Sequence, residues 1–377
     1  MLLALVKEGV KIRHAKLISL LPMHLRHQTT LLRRALTRLP IAITALALLS
    51  FDVVSAAETA ISKPVKIYLL SGQSNMTGRG NLGDLTLKTP AAEQKATLIR
   101  FIMEPQNVEK YRFLYGEDET KTRKWTVRDD VFITLGEWPH DGKDNHGKHG
   151  GFGPGYGGFR NKGLGSEFGI GHVLGNFHAE PVLLVKVSFG ANNLAVNFRP
   201  PSSGGTLGDK YALVVKALNE AIEHLPEIVP GYQMESGYEI AGFFWNQGEH
   251  DCTPEFSAEY EQNLANLIKD LRQEFKAPGM KAVIAVTGFG GRDPKDAKTG
   301  ASPQGYENQL KVITAQLAVP LRQEFKGNVA TVETRDFWRS QEQFGGNNQG
   351  IHWNGNGESY WLIGEAMGNC MVELLKK

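Results

Sequence analysis

From Pro64 to the C-terminus, short β-rich runs alternate with segments of helical period, and this order limits the possible folds more than any other feature of the chain. The runs are VKIYLL (65–70), VLLVKVS (182–188), IAGFFWN (240–246), AVIAVTG (282–288) and VATVET (329–334), with ATLIRFI (96–102) as a further expected strand. Helical patterns fall near 165–178, 208–225, 256–275, 304–324 and 357–376. Strands apolar on both faces, separated by helices, predict a mostly parallel α/β sheet covered by helices on each side. The stretch 104–162 breaks the pattern. It holds many charges, three His and the cluster GGFGPGYGGF, and reads as a long surface insertion near the mouth of the sheet.

The first 57 residues differ from the rest. Eight Lys or Arg stand there against Glu8 and Asp52, and the apolar run LPIAITALALLS leads into Ser55, Ala56 and Ala57. A basic region, a short apolar region and small residues predict a secretory leader, cleaved near residues 56–57, with export to the periplasm or the outside. The apolar run is too short for a membrane anchor and Asp52 interrupts it. Translation from Met23 would give a leader of more usual length. Removing the leader takes eight of the 42 basic and two of the 40 acidic residues, so the 58–377 domain is slightly acidic. It offers no basic stripe for nucleic acid and no membrane span. Cys252 and Cys370 form neither a disulfide framework nor a metal spacing.

Ligands of open parallel sheets sit beyond the carboxyl ends of the strands, so the residues that follow each run carry most weight. After the first comes Ser74 in SGQSNM, on a strand-to-helix turn that exposes a hydroxyl beside backbone N–H groups. Capping of the next segment is the bland alternative. Met76 stands where the second Gly of a G-x-S-x-G elbow belongs, so that motif is excluded. After the second run FGANN supplies Gly190, Asn192 and Asn193; after IAGFFWN come Gln247, Glu249, His250 and Asp251, a polar cluster costly to desolvate unless paired or used. His352 lies in a Gly- and Asn-rich loop before the last helix. A serine, backbone and amide donors and an imidazole are the parts that acyl transfer needs.

These blocks, SGQSNM (71–76), VSFGANNL (187–194), WNQGEHD (245–251) and IHWN (351–354), resemble those of the SGNH hydrolases, and within them the sialate O-acetylesterase-like proteins and the sixth carbohydrate esterase family. The resemblance runs from about Lys66 to the C-terminus and covers 104–162 poorly. It implies a three-layer, flavodoxin-like α/β/α sandwich and a serine esterase that removes acetyl groups from a glycan or small sugar, without metal or organic cofactor. It implies Ser74 as nucleophile, His352 as base, and the Ser74 and Gly190 N–H groups with the Gln247 side chain as oxyanion donors. Gln73, Asn75, Asn192 and Trp353 are expected to touch the substrate. The family usually carries Asp three residues before the His, where this chain has Gln349. Orientation of His352 is therefore expected from a backbone carbonyl near Gln349, from Glu249 or Asp251, or from no group, with help from Glu249 or Asp251 favoured. Gln349 also keeps a carbohydrate-binding protein without cleavage in view.

The remaining motifs carry less. His140, His146 and His149 lack a fixed ligand spacing. G-x-G-x-x-G from Gly153 to Gly158 contains Pro154 and follows no clear strand. Deacylation of lipid or peptidoglycan is disfavoured because no long acyl groove is evident.

Overall fold

The structure is a computed structural model and describes residues 62–136, 148–157, 163–292, 303–347 and 349–377. The expected leader with its alternative start, His140, His146 and Gly158 lie outside the described residues. Among the described residues nine strands form: β1 Val65–Gly72, β2 Tyr115–Glu117, β3 Arg123–Trp125, β4 Arg128–Leu135, β5 Lys148–Phe152, β6 Val182–Ser188, β7 Tyr238–Asn246, β8 Lys281–Ala285 and β9 Val329–Val332. Seven of them make one sheet in the order β5-β4-β6-β1-β7-β8-β9, parallel except for the edge strand β5; β2 and β3 form a separate hairpin.

β1 shows why the sheet needs cover on both sides. Val65, Ile67 and Leu69 face one way and join a core with Leu218, Leu264 and Val312; Tyr68 and Leu70 face the other and join Phe168, Leu174 and Met367. The first core packs under helices α2 (Asp209–Glu223), α3 (Pro254–Glu274) and α4 (Pro303–Ala318), the second under α1 (Glu167–Phe177) and α5 (Gly357–Leu375). The result is the three-layer α/β/α sandwich that the alternation predicts. Local signals fix the helix starts: Thr253 caps α3 by accepting from Phe256 N, with Pro254 at the first position, and Asn356 caps α5 by accepting from Ser359 N.

Two expectations fail. ATLIRFI is not a strand: Leu98–Ile102 is a short helix capped by the Thr97 side chain, with Leu98, Ile99 and Ile102 buried. The 104–162 segment is not merely an insertion on the surface. Its β4 pairs in parallel with β6, and β5 closes that edge of the sheet. The charged start of RDDVFITL hides the strand from a pattern reading, because Arg128 and Asp130 satisfy each other at 2.8 and 2.7 Å while the last five residues are buried. Among the described residues no helix is long and apolar enough to cross a membrane, no group of three potential ligands is placed to hold a metal, and both cysteines are free thiols.

Candidate active site

β1 lies between β6 and β7, so the residues after these three strands meet at one rim. Gly72 ends β1 at φ 152°, a conformation open to glycine, and an added Cβ would collide with the carbonyl of Asn246 at the end of β7. The chain then enters the short helix Ser74–Thr77, whose first N–H groups have no intrahelical acceptor. Ser74 is 4% exposed. Its Oγ lies 2.9 Å from His352 Nε2, although 278 residues separate the two in sequence.

The loop that carries His352 is held by unusual backbone. Trp353 and Asn354 adopt φ of 55° and 53°, and the N–H groups of His352 and Asn354 both donate to the Gln349 carbonyl, at 2.8 and 3.1 Å. Trp353 packs close enough against Gly288 that a Cβ there would strike its ring. The other imidazole nitrogen, Nδ1, lies 3.1 Å from Gln349 Oε1, so the Nδ1–H tautomer donates to a neutral amide and leaves Nε2 free to accept from Ser74. Burial, then the positive charge of Arg79 and the neighbouring His250, push the His352 pKa down to about 4. The imidazole is therefore neutral, and competent as a base, across the ordinary pH range.

Glu249 and Asp251, expected to support His352, do other work. Asp251 accepts from Leu194 N at 2.9 Å, Ala195 N at 3.0 Å and Gln247 Nε2 at 2.6 Å. Glu249 accepts from Asn75 Nδ2, and its second oxygen is buried without a hydrogen-bond partner. Burial raises their pKa values, to about 7 for Glu249 and about 6 for Asp251. The orienting acceptor is the Gln349 side chain itself, at a position where the sequence reading weighed the backbone carbonyl.

Gln247 was expected to donate to an oxyanion. The amide is fully buried, and its nitrogen faces Gln73 Oε1 and Asn192 O, both at 3.1 Å, besides Asp251; its oxygen accepts from Tyr260 OH at 3.0 Å. Two protons already serve three acceptors, so Gln247 has no free N–H to offer an oxyanion. Gly248 explains how the chain turns after Gln247: φ is 158° and an added Cβ would clash with Thr287 Oγ1.

Three of the four residues expected to touch substrate lie beneath the surface. Gln73, Asn75 and Trp353 are 0, 1 and 2% exposed, and only Asn192 is half-buried. Gln73 Oε1 accepts from the N–H groups of Gly248 and His250, both at 3.3 Å, and its nitrogen donates to His250 Nδ1 at 3.1 Å. Asn75 joins the two halves of the site: its Nδ2 also donates to Ile351 O at 2.9 Å, and its oxygen accepts from Tyr360 OH at 2.7 Å. The amides on either side of the serine are thus braces, one to the β7 turn and one to the histidine loop. Tyr360 was not anticipated; it stands within the apolar pattern of α5, and nothing in that pattern singles out its hydroxyl.

Fold and site together define an α/β sandwich with a Ser–His pair over the carboxyl rim of its sheet. The model of the family "carbohydrate esterase, sialic acid-specific acetylesterase" matches residues 64–337, and the chain belongs to this family of carboxylic ester hydrolases. The match includes Ser74, Gly190 and Gln247 and ends before His352. Similar solved structures include a protein from Arabidopsis thaliana, at 16% identity over 82% of this chain and 98% of that one with a TM-score of 0.47. A carbohydrate acetylesterase from Xanthomonas citri is 12% identical over 81% of this chain and 57% of that one, TM-score 0.43. NanS is 14% identical over 74% of this chain and 79% of that one, TM-score 0.43. No curated protein matches the chain.

Proposed function

We propose that the chain is an exported serine esterase that hydrolyses O-acetyl esters of a carbohydrate through an acyl-enzyme on Ser74. The observation that carries this reading is the 2.9 Å contact between Ser74 Oγ and His352 Nε2. His352 takes the hydroxyl proton as Ser74 attacks the ester carbonyl, and the Ser74 and Gly190 N–H groups receive the negative charge that develops on its oxygen. The protonated imidazole then gives its proton to the departing sugar oxygen, and a water molecule repeats the sequence to release acetate. Export rests on the leader pattern of residues 1–57, and a mature N-terminus near residue 57 or 58 after expression in a secreting host tests it.

Turnover of p-nitrophenyl acetate, acetylated xylan and acetylated sialic acid by the mature chain tests the activity and ranks the substrates. Ser74→Ala abolishes it if the reading holds, whereas undiminished turnover removes the assignment. The second reading, a carbohydrate-binding domain without cleavage, draws on Gln349, because a neutral acceptor stabilises an imidazolium less than a carboxylate does. A serine-directed fluorophosphonate separates the two: an adduct on Ser74 supports the esterase, and saturable glycan binding without an adduct supports the binding domain.

A further inference from the structure

An apolar strand carries a lysine where its neighbours are aliphatic. Along β6, Val182 and Leu184 belong to the core beneath α1 and α5, and Lys186 follows them at the same alternation. Its ammonium lies 2.8 Å from the Glu167 carboxylate, and both side chains are 2% exposed. Burial draws the lysine pKa below its usual range. Two charges removed from water in this way are tolerated when the rest of their hydrogen-bonding capacity is met. Here it is. The ammonium donates to Glu167 Oε2 at 2.8 Å and to the carbonyls of Thr77 and Tyr156, both at 2.9 Å, while Glu167 Oε1 accepts from Gly165 N at 2.7 Å. Apolar residues of the same volume often stabilise a fold as well as such a pair does, so what the pair holds in place matters more than its contribution to stability.

Thr77 is the last residue of the short helix that Ser74 begins. β6 continues to Ser188, whose Oγ lies 3.0 Å from Thr77 Oγ1, and the chain then turns through Phe189 to Gly190. Phe189 N in turn donates to Gly72 O at 3.0 Å. The lysine therefore ties the carboxyl end of the serine helix to the strand that delivers the second oxyanion N–H. A cation at that end also complements the alignment of the helix carbonyls. The geometry points to Lys186, with Glu167 as its counter-ion, as a positioning residue that sets the spacing between the Ser74 and Gly190 N–H groups; this rests on the esterase reading above.

Lys186→Met alone strands the Glu167 charge in the core, and the fold then fails whatever the role of the pair. The informative variant is Lys186→Met with Glu167→Gln, which keeps an acceptor for Gly165 N–H and buries no net charge. Expected are a Tm lowered by a few degrees, because the Thr77 and Tyr156 carbonyls lose their donor, an unchanged KM for p-nitrophenyl acetate, a kcat lower by about ten- to a hundredfold, and faster amide hydrogen exchange confined to residues 72–80 and 186–192. An unchanged kcat overturns the inference. A fall in kcat that merely follows a fall in Tm, with exchange accelerated throughout, also overturns it, because the pair is then structural only. An inactive parent defeats the esterase reading alone. Exchange in the two segments then decides the matter, and unaltered protection there in the double variant overturns the positioning role.

Discussion

The two halves of the Ser–His pair are built differently. Ser74 stands on a turn locked into the sheet: Gly72 touches the backbone of β7, Gln73 and Asn75 are buried and bonded, and Lys186 holds the far end of the short helix. His352 stands on a loop of left-handed residues, and its Nδ1 partner Gln349 is exposed. Ser74 thus inherits its position from the core, while His352 depends on a few contacts, chiefly the bridge from Asn75 to Ile351 and the Gln349 amide. On the proposed mechanism, a firmly held serine with a more loosely held histidine concentrates any weakness on the histidine side.

The largest effects come from removing either half. Ser74→Ala and His352→Ala each lower kcat by about 10⁴ or more, and equal losses in the two variants mark the pair as one unit; activity surviving in His352→Ala would break the comparison. Asn75→Ala cuts the bridge between the halves, leaves Glu249 without its donor and Tyr360 with only its longer bond to the His352 carbonyl, and lowers kcat by about a hundredfold through misplacement of the base. Its stability loss is about 1–3 kcal/mol, read by urea denaturation.

Gln349→Asp sharpens the contrast from the other side. A carboxylate on Nδ1 favours the imidazolium that forms during attack, so kcat rises, by roughly tenfold if one pKa unit is gained. The same charge raises the pKa of His352, so the acid limb of kcat/KM moves from about pH 4 toward neutrality. In the parent, activity requires neutral His352 and holds down to that limb; half-loss near pH 6.5 instead would show that burial and the charge of Arg79 do not govern the base. The smallest effect is on stability. With its pKa raised to about 7, Glu249 keeps in the folded state a proton that the unfolded chain releases from about pH 4.5, so its contribution is full below that pH and declines up to pH 7. Relative to the parent, Glu249→Gln therefore gains in Tm as pH rises from 4.5 to 7, and a constant difference would show the carboxyl to be ionised throughout.

Much of this was legible from residue patterns. The five principal strands and five long helices follow from periodicity, and the meeting of Ser74 with His352 accords with their places after a strand and before the helix Gly357–Leu375. What escaped reading was polar pairing across the fold. Whether Gln247 or Glu249 faces the substrate or a neighbour depends on which strand ends lie side by side, and that is a property of sheet order rather than of any one segment. β4 was hidden by Arg128 and Asp130, whose charges cancel only once they are folded together. Lys186 was visible as an anomaly in VLLVKVS, yet its partner Glu167 could be named only when α1 was seen to pack on β6.

The distance along the chain between nucleophile and base has a bearing on biosynthesis. The turn bearing Ser74 can form once β1, β6 and β7 have assembled, but the loop bearing His352 is anchored by Asn356 and Tyr360 at the start of the final helix. While that helix is still inside the ribosomal tunnel, the emerging polypeptide has a hydroxyl and no proton acceptor for it. On the proposed mechanism, ester cleavage would wait until Gly357–Leu375 has emerged and packed, and a truncation that removes this helix should silence the enzyme without touching the residue that attacks.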